Sequence, residues 1–443
     1  MSVLSAPPLL QALLAEAVGA AAPVRSGRVS RVVGLEVAVS GVDAAVGEVV
    51  SITVPGTPEP LLAEVVALGE QSLSCTPLGE MAGVRVGSPV VALGGALQVP
   101  VGPQLLGRVL DGLGRPMDGG PELVGVPYAP VAGSAPHPLR RGRVDASLSL
   151  GVRAIDTLTP IGRGQRMGIF AGSGVGKSTL LSMIARGTEA QVSVVCLVGE
   201  RGREVREFLE NDLGPEGLAR SVVVIATSDE PPMVRLRAAF TATRIAESFR
   251  DAGADVVLMM DSLTRVAMAQ REVGLSAGEP PTTKGYPPST FALLPKLLER
   301  AGPGEAGSIT GLYTVLVDGD DHNEPIADAA RSILDGHLVL TRKLATAGHF
   351  PSIDVLESIS RVAGAVTNPG QKLAAGEMRR LLAAHRDAKD LIDIGAYSPG
   401  SNPEVDRAVA LLPQLLGFLQ QEVSDVTPAA EAWDRLQTLI AGG

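Results

Sequence analysis

Cysteine is nearly missing from this chain: Cys75 and Cys196 are the two in 443 residues. Both sit in apolar surroundings and far apart, which excludes a disulfide framework and fits a reducing cytoplasm. The five histidines, His137, His322, His337, His349 and His385, are scattered, so no zinc site of Cys/His spacing is expected. No apolar run reaches ~18 residues unbroken, so no membrane span is expected. No basic stretch precedes an apolar core at the N-terminus, as a signal peptide would require. Aromatic residues make up 3%, and residues 27–97 contain none, so stacking platforms for single-stranded nucleic acid are missing there. The net charge of −10 points the same way. What is present, 45% hydrophobic and 19% charged residues, suits packed domains, and the length predicts two or three of them.

The pattern along the chain changes several times. Residues 1–24 are rich in alanine and leucine, and 9–18 read as a short helix with leucines on one side; a loosely ordered tail is the alternative. From 25 to 97 short alternating runs (GLEVAVSG, GEVVSITV, LLAEVVAL, SLSCTPL, SPVVALG) follow one another between Gly and Pro, the mark of a small β-barrel. A connector rich in Gly and Pro leads into 98–370, where strand-length apolar runs (MGIFA, VSVVCLV, SVVVIA, DVVLMMD, LYTVLV, HLVLT) alternate with helix-length segments. That order builds a mostly parallel sheet covered on both faces, hence a multidomain α/β protein. Residues 371–443 lose the strand signal and read as three helices.

One stretch carries more chemistry than the rest. In QRMGIFAGSGVGKST an apolar strand ends in a glycine-rich turn that opens a helix. Glycines let successive N–H groups converge on phosphate oxygens, and the helix start adds positive potential. The loop Ala171, Gly172, Ser173, Gly174, Val175, Gly176, Lys177, Ser178, Thr179 is therefore expected to bind a nucleoside triphosphate. Ala171 stands where the motif has glycine. Lys177 would reach the β and γ phosphates, and Ser178 would ligate Mg²⁺.

Binding alone is not hydrolysis. DVVLMMD ends in Asp261, a carboxylate at the edge of a buried strand and a second Mg²⁺ partner; alone, it would read as a helix cap. VSVVCLV runs into Glu200, placed to orient and polarise an attacking water. Arg201, Arg203 and Glu204 follow at once, so a charged helix start competes, while Glu204 adds a further candidate near the metal. Arg361, well past the strands, offers a fixed positive fork for a transferring phosphoryl group, on a neighbouring subunit's nucleotide.

These segments together resemble the ATPases of bacterial type III protein export, relatives of the α and β subunits of rotary ATP synthase. The resemblance runs from about residue 27 to about 440. It is carried by residues 105–119, by GERGREVREF (199–208), and by three long segments at 279–302, 307–328 and 332–362. It implies a barrel, a RecA-like P-loop ATPase and a helical C-terminal domain, forming a homohexameric ring. It also implies Lys177 and Ser178 as phosphate and Mg²⁺ ligands, Glu200 as the water-polarising carboxylate, and Asp261 as second metal partner. Arg361 would be the finger donated across subunits. Phe350 falls where the superfamily stacks an aromatic on adenine, with a core phenylalanine as the alternative. His322 stands where relatives carry an apolar residue. Expected partners are a stator-like regulator, a stalk-like protein, the export gate, and substrates with their chaperones, with peripheral membrane association and no nucleic acid. Residues 391–409 resemble the flagellar branch more closely than the injectisome branch. A non-catalytic rotary subunit and a hexameric RNA translocase are the rivals; Glu200 argues against the first, the aromatic-free barrel against the second.

Overall fold

The computed structural model describes residues 26–317 and 324–442. The helix expected at 9–18 and His322 lie outside the described residues. The chain divides into two compact units, one ending at Leu97 and the other starting at Gln98.

The first unit is a closed six-stranded barrel. Its strands are β1 (Ser26–Val33), β2 (Glu36–Ser40), β3 (Glu48–Ile52), β4 (Leu61–Leu68), β5 (Leu73–Pro77) and β6 (Pro89–Ala96), in the order β1-β2-β5-β4-β3-β6, with β6 closing on β1. Closure leaves no sheet edge to pair with another chain. Val37, Val39, Val50, Ile52, Val65 and Val90 fill the interior. The five expected runs are all strands. β1 is the addition, and its alternation is hard to read because Val29 is its one fully buried residue, set among serine and arginine. Burial pushes the Cys75 thiol up to about 12, so it is an inert core residue rather than a reactive one.

The second unit is built on a nine-stranded sheet. A ribbon of β7 (Gln98–Pro100) and β9 (Tyr128–Pro130) precedes it, while β8 (Val109–Asp111) from the same connector joins the sheet itself. The remaining strands are β10 (Arg166–Ala171), β11 (Val192–Glu200), β12 (Ser221–Thr227), β13 (Asp255–Asp261), β14 (Gly302–Pro303), β15 (Ser308–Leu316), β16 (Gly336–Leu340) and β17 (Ile359–Ser360). Their order is β17-β16-β10-β15-β13-β11-β12-β8, parallel from β16 to β8, with β17 antiparallel on β16 and β14 antiparallel on β15. Burial on both faces explains why β11 and β13 read as continuous apolar runs instead of alternating ones. Parallel strands also place every strand's C-terminal end along one edge, and Ala171, Glu200 and Asp261 all fall there.

Three C-terminal helices follow, Pro369–Asp393, Pro403–Leu419 and Ala429–Ala441. The first starts on a capping box in which Asn368 and Gln371 satisfy each other's backbone N–H groups. Leu411, Leu415, Trp433 and Leu436 pack into the same hydrophobic cluster as Met183 and Ile184 of the helix Lys177–Gly187. A buried arginine ties the two regions together. Arg153 donates from Nε to Phe418 O at 3.0 Å, and from its terminal nitrogens to Asp425 at 2.6 Å, Thr427 at 2.9 Å and Gln420 O at 2.5 Å. Nearby, the buried Asp156 carboxyl accepts from the N–H groups of Leu150 and Gly151 and from Ser149 Oγ.

Candidate functional site

The phosphate loop leaves β10 at Ala171 and turns through Gly172, Ser173, Gly174, Val175 and Gly176 into the helix Lys177–Gly187. Gly174 (φ 73°) and Gly176 (φ 90°) adopt left-handed conformations that a side chain would strain. Val175 is buried and pins the loop from below, where Ser352 Oγ donates to its carbonyl at 2.5 Å. Arg342 holds the carbonyl of exposed Ser173 at 3.3 Å. No side chain caps the helix start, so the N–H groups of Lys177, Ser178 and Thr179 are free to meet an anion.

The three charged groups expected at the loop are brought together. Lys177 Nζ lies 2.5 Å from Asp261 Oδ1 and 3.5 Å from Glu200 Oε1. Parallel pairing of Leu197 in β11 with Asp261 in β13 sets the two carboxylates on one edge. A register shift between Val198 and Glu200 bends the end of β11 and re-aims Glu200. Burial and the negative Asp261 raise the Glu200 pKa, against the pull of Lys177 and Arg265. A carboxylate with raised basicity beside a phosphate loop is suited to holding a water by its proton.

Glu204 also comes close to Glu200 and shares a hydrogen bond with it, but Arg201 at 3.1 Å and Arg203 at 3.6 Å engage its carboxylate. Slight burial opposes ionisation there, yet the bond to Glu200 and the two arginines win and lower its pKa.

The donors suit a hard divalent cation. Ser178 offers an exposed hydroxyl and Asp261 a carboxylate, both oxygen ligands. Among the described residues no group of three or more His, Cys, Asp or Glu side chains could cage a metal alone. That set fits Mg²⁺, which keeps waters and shares its shell with phosphates instead of occupying an all-protein cage.

Phe350 is 43% exposed, which removes the core alternative. Its ring lies against the loop, where a methyl added to Gly176 would be 3.4 Å from Phe350 Cε1. Arg361 is not part of this cluster. It follows β17, its N–H donates to Asp335 O, and its guanidinium donates to Arg331 O at 3.3 Å. β17 pairs with the beginning of β16 at Gly336, whereas Ala171 pairs with Leu340 at its end. At a rise of roughly 3.3 Å per residue the exposed Arg361 sits about 13 Å along the strands from its own phosphate loop.

Two residues at the site carry no sequence signal. Thr314 in β15, fully buried, donates to Asp261 Oδ1 at 2.8 Å and so orients it. Arg265 lies on the helix after Asp261, and its stem crosses Gly199, where a Cβ would meet Arg265 Cδ at 3.0 Å. Its Nε is buried without a hydrogen-bond partner among the described residues, leaving a cation facing Glu200.

Three family profiles cover the chain. The beta-barrel domain of the ATP synthase alpha/beta family matches residues 29–94, its nucleotide-binding domain residues 151–360, and the T3SS EscN ATPase C-terminal domain residues 367–438. The flagellum-specific ATP synthase of Bacillus subtilis (strain 168) is 52% identical over 418 residues, 94% of this chain and 95% of that protein. The type 3 secretion system ATPase of Xanthomonas euvesicatoria is 50% identical over 403 residues, 91% of each. Among solved structures, the assembled ATPase EscN of the enteropathogenic E. coli type III secretion system superposes with a TM-score of 0.88 at 45% identity, covering 94% of this chain and all of that one. EscN in complex with its central stalk EscO gives 0.87 at 44% identity, with the same coverage.

Proposed function

The chain belongs to the ATP synthase alpha/beta family and, within it, to the flagellar and type III secretion ATPases; from that premise we propose that it hydrolyses ATP to energise type III export of flagellar proteins. The observation that carries the reading is Glu200 on the bulged end of β11, 3.5 Å from the lysine of the phosphate loop. A binding-only subunit has no use for a carboxylate of raised basicity at that point.

Each residue then has a task. The loop N–H groups and Lys177 hold the phosphates and neutralise charge as it develops. Ser178 and Asp261 would hold Mg²⁺, which supplies charge neutralisation at the phosphates when bound; Glu204 remains a candidate at its outer edge. Thr314 keeps Asp261 aimed. Glu200 orients a water and accepts its proton as the water attacks the γ phosphorus, while the bridging oxygen leaves with ADP. Phe350 offers an aromatic face to the adenine. Arg361, exposed and far from its own loop, acts on a neighbour's nucleotide, so the working unit is a homo-oligomeric ring, a homohexamer.

The relatives bring the partners into the same reading. EscN is known in complex with a central stalk, and this chain meets an equivalent stalk. A stator-like regulator engages residues 1–24, and the export gate, substrates and chaperones complete the set. No described helix is long and apolar enough to cross a membrane; the reading includes peripheral attachment to the inner face of the cytoplasmic membrane. An injectisome role is the alternative, since injectisome ATPases reach 50% identity.

Glu200→Gln tests the proposal. It should bind ATP as the parent does and lose turnover, because an amide cannot accept the proton from water. Parental turnover in that variant would overturn the assignment.

A further inference from the structure

A cavity of about 510 Å³ lies between the helix Arg342–Thr346, the segment from His349 to Leu356, and the C-terminal helices Pro369–Asp393 and Pro403–Leu419. Its walls are apolar, from Leu344, Ile353, Leu382, Leu412 and Leu416. Its polar groups are mostly of one sign. Lys343, Arg386 and Lys389 line it together with His349 and His385, and Asp354 is the one acid in the lining.

The pairing within that set is uneven. Arg386 takes both oxygens of Asp354 at 2.7 and 2.8 Å and reaches Glu357 at 3.1 Å; Lys389 takes Asp393 at 2.8 Å. The available acids are thereby used. Lys343 and the imidazoles of His349 and His385 make no hydrogen bond or ion pair among the described residues. His349 is the informative one. It is 6% exposed and lines the cavity, so a ligand there meets its ring. Burial also lowers its pKa, so at neutral pH it offers an N–H to a ligand rather than a charge.

We propose that this cavity is a binding site for a small amphipathic organic anion, its apolar body against the leucines and its charged end among Lys343, His385 and the His349 N–H. The site is separate from the phosphate loop but adjoins it through the chain. Phe350 and Ser352, which touch Gly176 and the Val175 carbonyl, lie on the segment that forms one cavity wall. An occupant therefore presses on the back of the strap that covers the nucleotide loop.

The test uses the full-length protein with saturating ADP, so that the nucleotide site is filled. The probe is 8-anilinonaphthalene-1-sulfonate, an aromatic sulfonate that fluoresces on leaving water, and N-phenyl-1-naphthylamine is its uncharged counterpart. The sulfonate should bind once per chain and more tightly than the neutral probe. Lys343→Ser and His385→Gln, both at accessible positions, should each weaken it by roughly three- to tenfold. His349→Phe, which removes the ring N–H while keeping an aromatic ring, should weaken it by a similar factor, with melting curves confirming that each variant is folded. Unchanged affinity in folded Lys343→Ser and His385→Gln would overturn the proposal, as would equal binding of the neutral probe. Exclusion of the sulfonate from the assembled oligomer would show that a protein surface covers the cavity, and would overturn it too.

Discussion

Replacing Thr314 with valine tests how the site holds its second carboxylate. Thr314 is fully buried in β15, and its hydroxyl donates to Asp261 Oδ1 at 2.8 Å, with Met260 O a more distant alternative at 3.3 Å. Valine has the same shape and lacks the donor. A hydrogen bond to a charged acceptor nets about 1.5–3 kcal/mol, and a methyl in place of the buried hydroxyl returns about 0.8 kcal/mol of apolar burial. The balance predicts a loss of about 1–2 kcal/mol in unfolding free energy, readable as a small shift in the urea midpoint. The effect on turnover should be clearer. Without Thr314, Lys177 at 2.5 Å is the partner left to orient Asp261, and the carboxylate settles against it. Turnover should then fall about tenfold, which corresponds to about 1.4 kcal/mol, with more Mg²⁺ needed for half-maximal rate. Phosphate release against Mg²⁺ concentration measures both. Thr314→Ser restores the donor and should restore turnover. Parental turnover in Thr314→Val, or a serine variant as slow as the valine one, would refute the reasoning.

Three further outcomes are expected. Arg361→Ala should bind nucleotide and not turn it over, and mixing it with Lys177→Ala subunits should recover activity in co-assembled particles, measured by phosphate release; no recovery would count against a finger acting between subunits. Arg153→Met keeps the stem but strips two buried acceptors, Phe418 O and Thr427 Oγ1, and two partly exposed ones, Asp425 and Gln420 O, of their donor, so unfolding free energy should drop by about 2–4 kcal/mol in urea titrations. Burial lifts Asp156 from 3.8 to about 7, against the N–H groups of Leu150 and Gly151. Because the folded state holds the proton more tightly, stability is full below the unfolded pKa and is lost as pH rises toward 7. Asp156→Asn should flatten that decline in thermal melts between about pH 4 and pH 7.5, and a variant with the parental slope would show that Asp156 does not titrate there.

The parts of the site that were legible in the sequence are those fixed by local pattern. The loop from Ala171 to Thr179 is contiguous, and glycines at 174 and 176 announce the conformations they adopt. Glu200 and Asp261 were readable because each ends an apolar run, and parallel pairing converts two run ends into one edge. Thr314 and Arg265 were not, since their roles arise from crossings between segments distant in sequence, 53 residues apart for Thr314 and Asp261. β8 escaped for another reason: three residues inside a Gly/Pro-rich connector give no period to detect, and its place beside β12 is decided by the sheet. The choice for Phe350 between core and surface likewise needed its exposure.

Gln421 touches more than its position near the end of the chain would suggest. Its backbone N–H holds the carbonyl of Phe350, whose ring rests on Gly176 where the phosphate-loop helix begins. Its side chain accepts from the Arg153 N–H and donates to Gly151 O, and Gly151 is packed against Gly187 where that helix ends. The helix is thus a rod gripped at both tips by one bracket. A bracket of this kind cannot swing and leave the rod behind: rotation of the C-terminal helices must carry the nucleotide cleft with it or break a hydrogen bond at one tip. Stiffness at the phosphate loop is thereby borrowed from a region outside it, and strain applied far down the C-terminal helices has a short mechanical route to that loop.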